Sequence, residues 1–321
     1  MTSDSFVHLH VHSEYSMLDG AARIGDLMKA VVEQGMPAIA VTDHGNNFGA
    51  YDFWKQATEA GVKPIIGTEA YVTPGTHRTD KTRVRWGNGG EDDVSGSGAY
   101  THMTLLAENT AGMHNLFRLS SLASIEGYYF KPRMDRELLQ TYGSGLIATT
   151  GCASGEVQTR LRLGQYAEAR QAASDFRDIF GAENYYAEIM DHGLGIEKRV
   201  MSDLLRLADE LSLPLLATND LHYVHAHDAT SQEMLLAIQS GSTLADPNRF
   251  KFDSNEFYLK TPAQMRALFK DYPEACDNTL LIAERCEVEF DTIETGANYM
   301  PRFPVPEGET EGTWFVKEVE R

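Results

Sequence analysis

The chain has 321 residues, 42% hydrophobic and 23% charged, which suits one large barrel-type domain or two smaller ones and excludes a disordered chain. No apolar run approaches the roughly 18 residues of a membrane span, and Met1 to Phe6 lack the basic flank and apolar stretch of a secretory signal, so no membrane partner and a cytoplasmic protein are expected. A formal charge of -19 excludes a broad basic face for nucleic acid, so an anionic substrate must be attracted locally.

Seven apolar, β-branched runs bounded by turn residues read as strands: Phe6 to Val11, Ala38 to Thr42, Val62 to Tyr71, His102 to Ala107, Gly145 to Thr149, Tyr185 to Ile189 and Leu213 to Thr218. Between them lie helical patterns, among them Ile24, Leu27, Met28 and Val31, then Leu116, Leu119 and Leu122, then Ala167 to Ile179, then Val200, Leu204 and Leu207. Strand followed by helix, repeated, predicts parallel pairing with right-handed crossovers. Polar, ligand-type residues close nearly every strand, which favours a closed α/β barrel over an open sheet, because a barrel gathers side chains from many strands at one end.

Residues 74–99 interrupt the alternation, basic first and then rich in Gly, Ser and acid, and read as an inserted mobile surface loop. Helical stretches follow the last strand at Thr230 to Gln239, Pro262 to Phe269 and Pro273 to Glu287. Residues 1–288 are thus expected as the barrel domain. Residues 289–321, with Pro301, Pro304 and Pro306 before an acidic helical ending, read as a linker into a further domain of a longer protein.

The chemistry-bearing residues sit at strand ends. His10 and His12, two apart on the first strand, share one face, with His8 a step deeper. Asp19 lies in the loop that follows, His44 closes the second strand beside Asp43, and Glu69 is a carboxylate in an apolar segment that demands a cation. His102 stands on the fourth strand, Cys152 follows the fifth, and Asp220 and His222 form a second same-face pair after the seventh. Singly each has a bland account: Asp19 as a turn former, Asp43 as a helix cap, Cys152 as packing. Together, five His, two Asp, one Glu and one Cys suit two or three metals rather than one tetrahedral ion. The mixed N, O and S set favours zinc, with manganese and iron as alternatives. The three cysteines, an odd and sparse set, argue for free thiols in a reducing compartment.

The segments HLHVHSEYSMLDG, TDHGN, GTEAY, FKPRMD, TGCASGE and TNDLHYV resemble the PHP (polymerase and histidinol phosphatase) family, and most closely the PHP domains of DnaE-type alpha subunits of bacterial DNA polymerase III, over essentially the whole chain. The resemblance implies a distorted (β/α)7 barrel with three divalent ions at the C-terminal ends of the strands. Their implied ligands are His10, His12, Asp19, His44, Glu69, His102, Cys152, Asp220 and His222, with no position of the set lost. It also implies a proofreading 3′ to 5′ exonuclease in which a hydroxide between two metals attacks the terminal phosphodiester and His12, Asp19 and His222 take the catalytic and proton-handling parts. Implied partners are the frayed or single-stranded 3′ end of DNA, the remainder of the polymerase chain and replisome subunits such as the sliding clamp.

His8, Asp43, Glu188 and His192 are expected to orient the ligands. Arg78, Lys81, Arg83 and Arg85, with Lys131 and Arg133 next to Tyr128, Tyr129 and Phe130, are expected to guide DNA by phosphate contacts and stacking. Two competing functions use the same residues: a phosphomonoesterase of the histidinol-phosphatase type, and a catalytically silent scaffold in which metals hold the barrel together. An amidohydrolase-type deaminase also begins with HxH but usually offers a lone Asp on its last strand.

Overall fold

In the computed structural model, which describes residues 4–17, 19–86, 96–292, 296, 300–301 and 303–321, six of the seven predicted strands appear: β1 (Ala38–Val41), β2 (Lys63–Val72), β3 (Thr101–Ala107), β5 (Leu146–Thr149), β6 (Tyr185–Ile189) and β7 (Leu215–Ala217). They pair in the order β1, β2, β3, β5, β6, β7, and the two-residue β4 (Arg133–Met134) pairs with β2 beyond the end of β1. The seventh run, residues 6–12, is extended and closes the ring. Ala40 N–H donates to His8 O on one flank, and on the other Leu221 N–H donates to His10 O and His12 N–H to Leu221 O. This stave sits between β1 and the segment after β7, so the sheet has no open edge there and forms a distorted α/β barrel.

One prediction fails in a way that matters for the site. β3 runs antiparallel to both of its neighbours, β2 and β5. The cause lies in the connection, the insertion of residues 74–99: among the described residues no crossover α-helix stands between β2 and β3, and the chain leaves β2 at the mouth of the barrel and re-enters β3 from the same end. Positions 87–95 of that insertion lie outside the described residues. Its described flanks are tied down, with Trp86 only 2% exposed and Val84 N–H donating to Gly98 O.

The barrel interior is apolar below the mouth, where Val7, Leu9, Ala40, Ile65, Leu106, Ile147 and Leu216 meet, and α10 (Pro273–Arg285) covers that end through Leu280, Ile282 and Ala283. Flanking helices follow the predicted periodicity. In α1 (Ile24–Glu33) the buried side chains are Ile24, Leu27, Met28, Ala30 and Val31, one stripe facing inward. α3 (Thr110–Ile125), α6 (Tyr166–Phe180), α7 (Gly195–Leu211), α8 (Ala229–Ser240) and α9 (Pro262–Leu268) lie where apolar spacing placed them. α2 (Ala50–Glu59), the helix expected after His44, buries Ala50, Phe53 and Ala57 along one face, whereas α4 (Arg136–Tyr142) and α5 (Glu156–Arg162), only seven residues long, went unpredicted. The chain divides into two compact units, Met1–Val288 and Glu289–Arg321. The second carries α11 (Glu311–Glu320), capped by the Thr310 hydroxyl on the Thr313 N–H.

Candidate metal centre

Because β3 enters from the mouth, its second residue, His102, stands level with the C-terminal ends of the other staves. There the mouth also collects His10 and His12 from the first stave, His44 just past β1, Glu69 from the far half of β2, Cys152 after β5, and Asp220 and His222 after β7. Asp19 reaches in from its loop to lie 3.1 Å from His44 Nε2. Asp220 takes a φ of +42°, a left-handed conformation that Asp tolerates better than most residues and that clusters at functional sites. Gly45 allows another close approach, since at its φ of +62° a Cβ would stand 2.7 Å from the Tyr71 ring.

Glu69, 1% exposed, is the hub. Its oxygens lie 3.4 Å from His10 Nε2, 3.4 Å from His12 Nε2, 2.6 Å from His44 Nδ1 and 2.9 Å from His102 Nδ1, and Cys152 Sγ is at 3.3 Å. Asp220 Oδ1 lies 3.4 Å from His10 Nε2 and 3.1 Å from His12 Nε2. Two atoms bound to one tetrahedral ion, each about 2.1 Å from it, stand about 3.4 Å apart, so this spacing suits ligands of a shared cation.

Among the described residues, six buried atoms of the cup make no well-formed hydrogen bond, namely His10 Nε2, His12 Nε2, Asp19 Oδ1, His44 Nδ1, Glu69 Oε2 and Asp220 Oδ1, and are held only by charge contacts with one another such as His44 Nδ1 to Glu69 and His12 Nε2 to Asp220. An orphaned buried polar atom is costly, and six facing one another form a site only once a cation fills it. The remaining nitrogens are committed. His10 Nδ1–H donates to Glu188 at 2.8 Å, His12 Nδ1–H to the Ser16 hydroxyl at 2.9 Å and His222 Nδ1–H to Asp220 O at 2.7 Å. Each bond leaves an Nε2 lone pair for a metal.

Three triplets bring one ligand atom each within 4.8 Å of one another: His12, His44 and His222; His10, His12 and Asp220; and His44, Glu69 and His102. The cup can therefore hold divalent cations, the overlapping triplets being alternative positions for them.

The charges of the metal-free cup agree. Burial alone lowers His10, but Asp220, Glu188 and Glu69 outweigh it and hold the imidazole well above its ordinary range. His44 is raised likewise, burial being overcome by Asp19 and Glu69. His12 goes the other way, to about 3, through burial and then the neighbouring His44 and His222. Burial, followed by Glu69 and Asp220, pushes the Cys152 thiol up. Protons on His10 and His44 thus stand in for the cations that the carboxylates call for, and a metal must displace them.

Around this set, Glu188 is wholly enclosed, accepting from His10 and from the hydroxyls of Thr104, Thr149 and Thr218. Asp43 accepts from Ser13 and Ser16, and through the Ser16 hydroxyl it steadies His12. It does not cap the next helix, whose N-cap is Gly49. His192 pairs with Glu197 and with Asn219 O, next to Asp220. His8 differs from expectation: its ring pairs with Lys260 O at 2.9 Å rather than with a ligand side chain, and burial depresses it to about 4.

Of the expected DNA contacts, Arg133 belongs to the interior and Arg78 is held in surface ion pairs. Arg133 is fully buried and donates to the carbonyls of Gly127, Ala99, Arg78 and Asp80, stitching together the flanks of the insertion. The Arg78 guanidinium is bound to Glu126 and Asp135. Lys81, Arg83 and Arg85 are exposed, and Lys131 lines the cup. Sequence reasoning missed the serine and threonine hydroxyls and the aromatic rim. The hydroxyls had one signal: Thr104, Thr149 and Thr218 are polar residues within or closing apolar strands.

A barrel whose mouth gathers histidines and carboxylates in this way defines a class. A family model described as "PHP domain" matches residues 8–192, and the chain belongs to that family. It is 55% identical over 320 residues to the DNA polymerase III subunit alpha of Mycobacterium tuberculosis (strain ATCC 25618 / H37Rv), covering 98% of this chain and 27% of that protein. The subunit of the same name from Saccharopolyspora erythraea is 56% identical over 331 residues (100% and 28%), and that of Thermus aquaticus 46% over 319 residues (96% and 25%). The chain spans about a quarter of the length of these relatives. Among the described residues no helix is long and apolar enough to cross a membrane.

Proposed function

We propose that the chain is a metal-dependent phosphodiesterase, a 3′ to 5′ exonuclease that proofreads within a replicative DNA polymerase. The observation that carries this is the group of buried N and O atoms of His10, His12, His44, Glu69 and Asp220, which make no well-formed hydrogen bond and gather at ligand spacing, in a set where all nine positions are filled. Relatives named as DNA polymerase III alpha subunits support the replicative setting.

His10, His12 and Asp220 would hold one cation, His44 and His222 a second, and Glu69 and His102 with Cys152 a third, His12 serving one position only because Nε2 is its single free nitrogen, and zinc being favoured by the thiol among nitrogen and oxygen donors. Bound divalent ions supply Lewis-acid polarisation of a phosphoryl oxygen and acidify water. The chain's own groups do the rest. Glu188 and the Asp43–Ser16 pair fix the tautomers of His10 and His12, so their Nε2 lone pairs point into the cup. Of the three residues expected to handle protons, His12 is sealed at 0% side-chain exposure and His222 nearly so at 3%, whereas Asp19, at 14%, reaches the mouth. Burial raises the Asp19 carboxyl, but His44, His222 and His12 outweigh it and hold it below its ordinary range, so Asp19 would stand at the mouth as an ionised base, with His12 and His222 kept as ligands. Incubation with zinc or manganese and a 3′-labelled strand tests the reading. Mononucleotide release that a chelator stops supports it, and release of inorganic phosphate alone, from a phosphate-ended strand, means a monoesterase.

A further inference from the structure

The rim of the cup carries two features that the metal set does not use. The first is Lys131, the single Lys or Arg among the described residues lining the cavity of about 330 Å³ above the metals. Its Nζ sits 5.4 Å from the centre of the Tyr71 ring, and no carboxylate pairs with it among the described residues. A tight turn fixes its backbone, with Tyr129 N–H donating to Lys131 O at 3.0 Å. Phe130 between them takes a φ of +63°, a conformation that a phenylalanine adopts only under constraint.

The second feature is an aromatic run from floor to solvent. Buried Phe257 stacks on His192 at 4.0 Å, Phe252 packs on Phe257 at 4.7 Å and meets the His222 ring edge-on at 4.9 Å, and Phe250 follows at 6.3 Å with 57% of its surface exposed. The base of this run is pinned, since His222 N–H donates to Phe257 O and the Ser254 hydroxyl to His192 O. Phe250, Phe252 and Phe257 all line the same cavity as Lys131.

A large apolar ring left in water beside a phosphate-attracting pocket calls for a flat apolar partner that arrives with the phosphate. A nucleobase on its own phosphodiester has that chemistry, and a small phosphomonoester does not. We infer that the rim is a nucleotide subsite in which Phe250 and Phe252 stack the terminal base of a single strand while Lys131 holds a phosphate. This rests on the nuclease reading and adds to it the residues that would seat the terminal nucleotide, recognised by its π-face without regard to sequence.

The test is equilibrium binding of a single-stranded oligonucleotide to the metal-loaded protein. The strand carries 2-aminopurine as its 3′-terminal base, whose fluorescence is quenched by stacking, and a phosphorothioate in the last linkage to block cleavage. The parent quenches the probe on binding. Phe250→Ala, at an exposed position that leaves folding and metal content intact, loses most of the quench and binds roughly tenfold more weakly, the size of one lost base–aromatic stack. Lys131→Gln binds more weakly with the quench at saturation retained, and its slope of log affinity against log salt is smaller by about 0.7, one phosphate contact to a single strand. An unquenched probe, or a Phe250→Ala protein that binds and quenches like the parent, overturns the inference. A quenched probe without mononucleotide release from the unmodified strand removes the nuclease reading and leaves the subsite standing. Release without quenching does the reverse.

Discussion

Glu188 touches no expected metal position, yet it fixes the His10 ring and absorbs three threonine hydroxyls in the barrel interior. Glu188→Gln keeps the shape and lets the His10 tautomer slip, so metal affinity should fall about 10- to 100-fold with little loss of fold, as read by competition with a chromophoric chelator. An unchanged affinity would show that His10 needs no such anchor. Arg133 makes the opposite case. Its charge and its FKPRMD setting suggest a surface contact with DNA, but four backbone carbonyls and the Tyr129 ring at 5.0 Å enclose the guanidinium. Arg133→Met should cost about 2 to 4 kcal/mol in denaturant unfolding by leaving those carbonyls short of donors, with the salt dependence of DNA binding unmoved. Eight of the nine polar residues were legible because their types are rare at strand ends, and Asp19, in a loop, only through the motif around it. Arg133 was not, since sequence shows a charge and not the carbonyls that fold back around it.

β2 and β3 show how a connection decides a site. Ten residues long, β2 outruns β1 and lifts Glu69 and Tyr71 into the mouth, and the insertion returns the chain at the same end so that β3 begins, rather than finishes, at the metals. Alternation of strand and helix read from the sequence predicts a parallel β3, because apolar runs carry no direction. The local signs of the strand were right and its sense was wrong. The descending flank of the insertion hangs on Trp86, buried against the Arg160 guanidinium at 4.8 Å. Trp86→Ala should free that flank, and trypsin should cut at Lys81, Arg83 or Arg85 at least about tenfold faster while the barrel stays folded. Cleavage at the parental rate would mean that other contacts hold it. α4 and α5 escaped prediction for a different reason: two turns of helix are too short for a periodic stripe to stand out.

The cup joins staves far apart in the chain, from His10 to His222, so cations bound there would cross-link the barrel of a protein of net charge -19. Stability should therefore depend on metal and pH together. Without metal, His10 and His44 are held above their ordinary range, which stabilises the metal-free fold below the ordinary histidine value and fades as pH rises through the raised values. A bound cation takes over that role. The gap in Tm between metal-loaded and chelated protein should thus widen from about pH 6 to pH 8, and a gap that narrows would contradict the assignment of these histidines. The account as a whole meets its most direct test in one comparison: mononucleotides released from a 3′-labelled single strand by the metal-replete protein and by Asp19→Asn. The parent should release them and the variant, folded and with its metals largely kept, should be slower by at least about 100-fold. No release from a parent shown by elemental analysis to carry its metals, or equal release by both proteins, would contradict it.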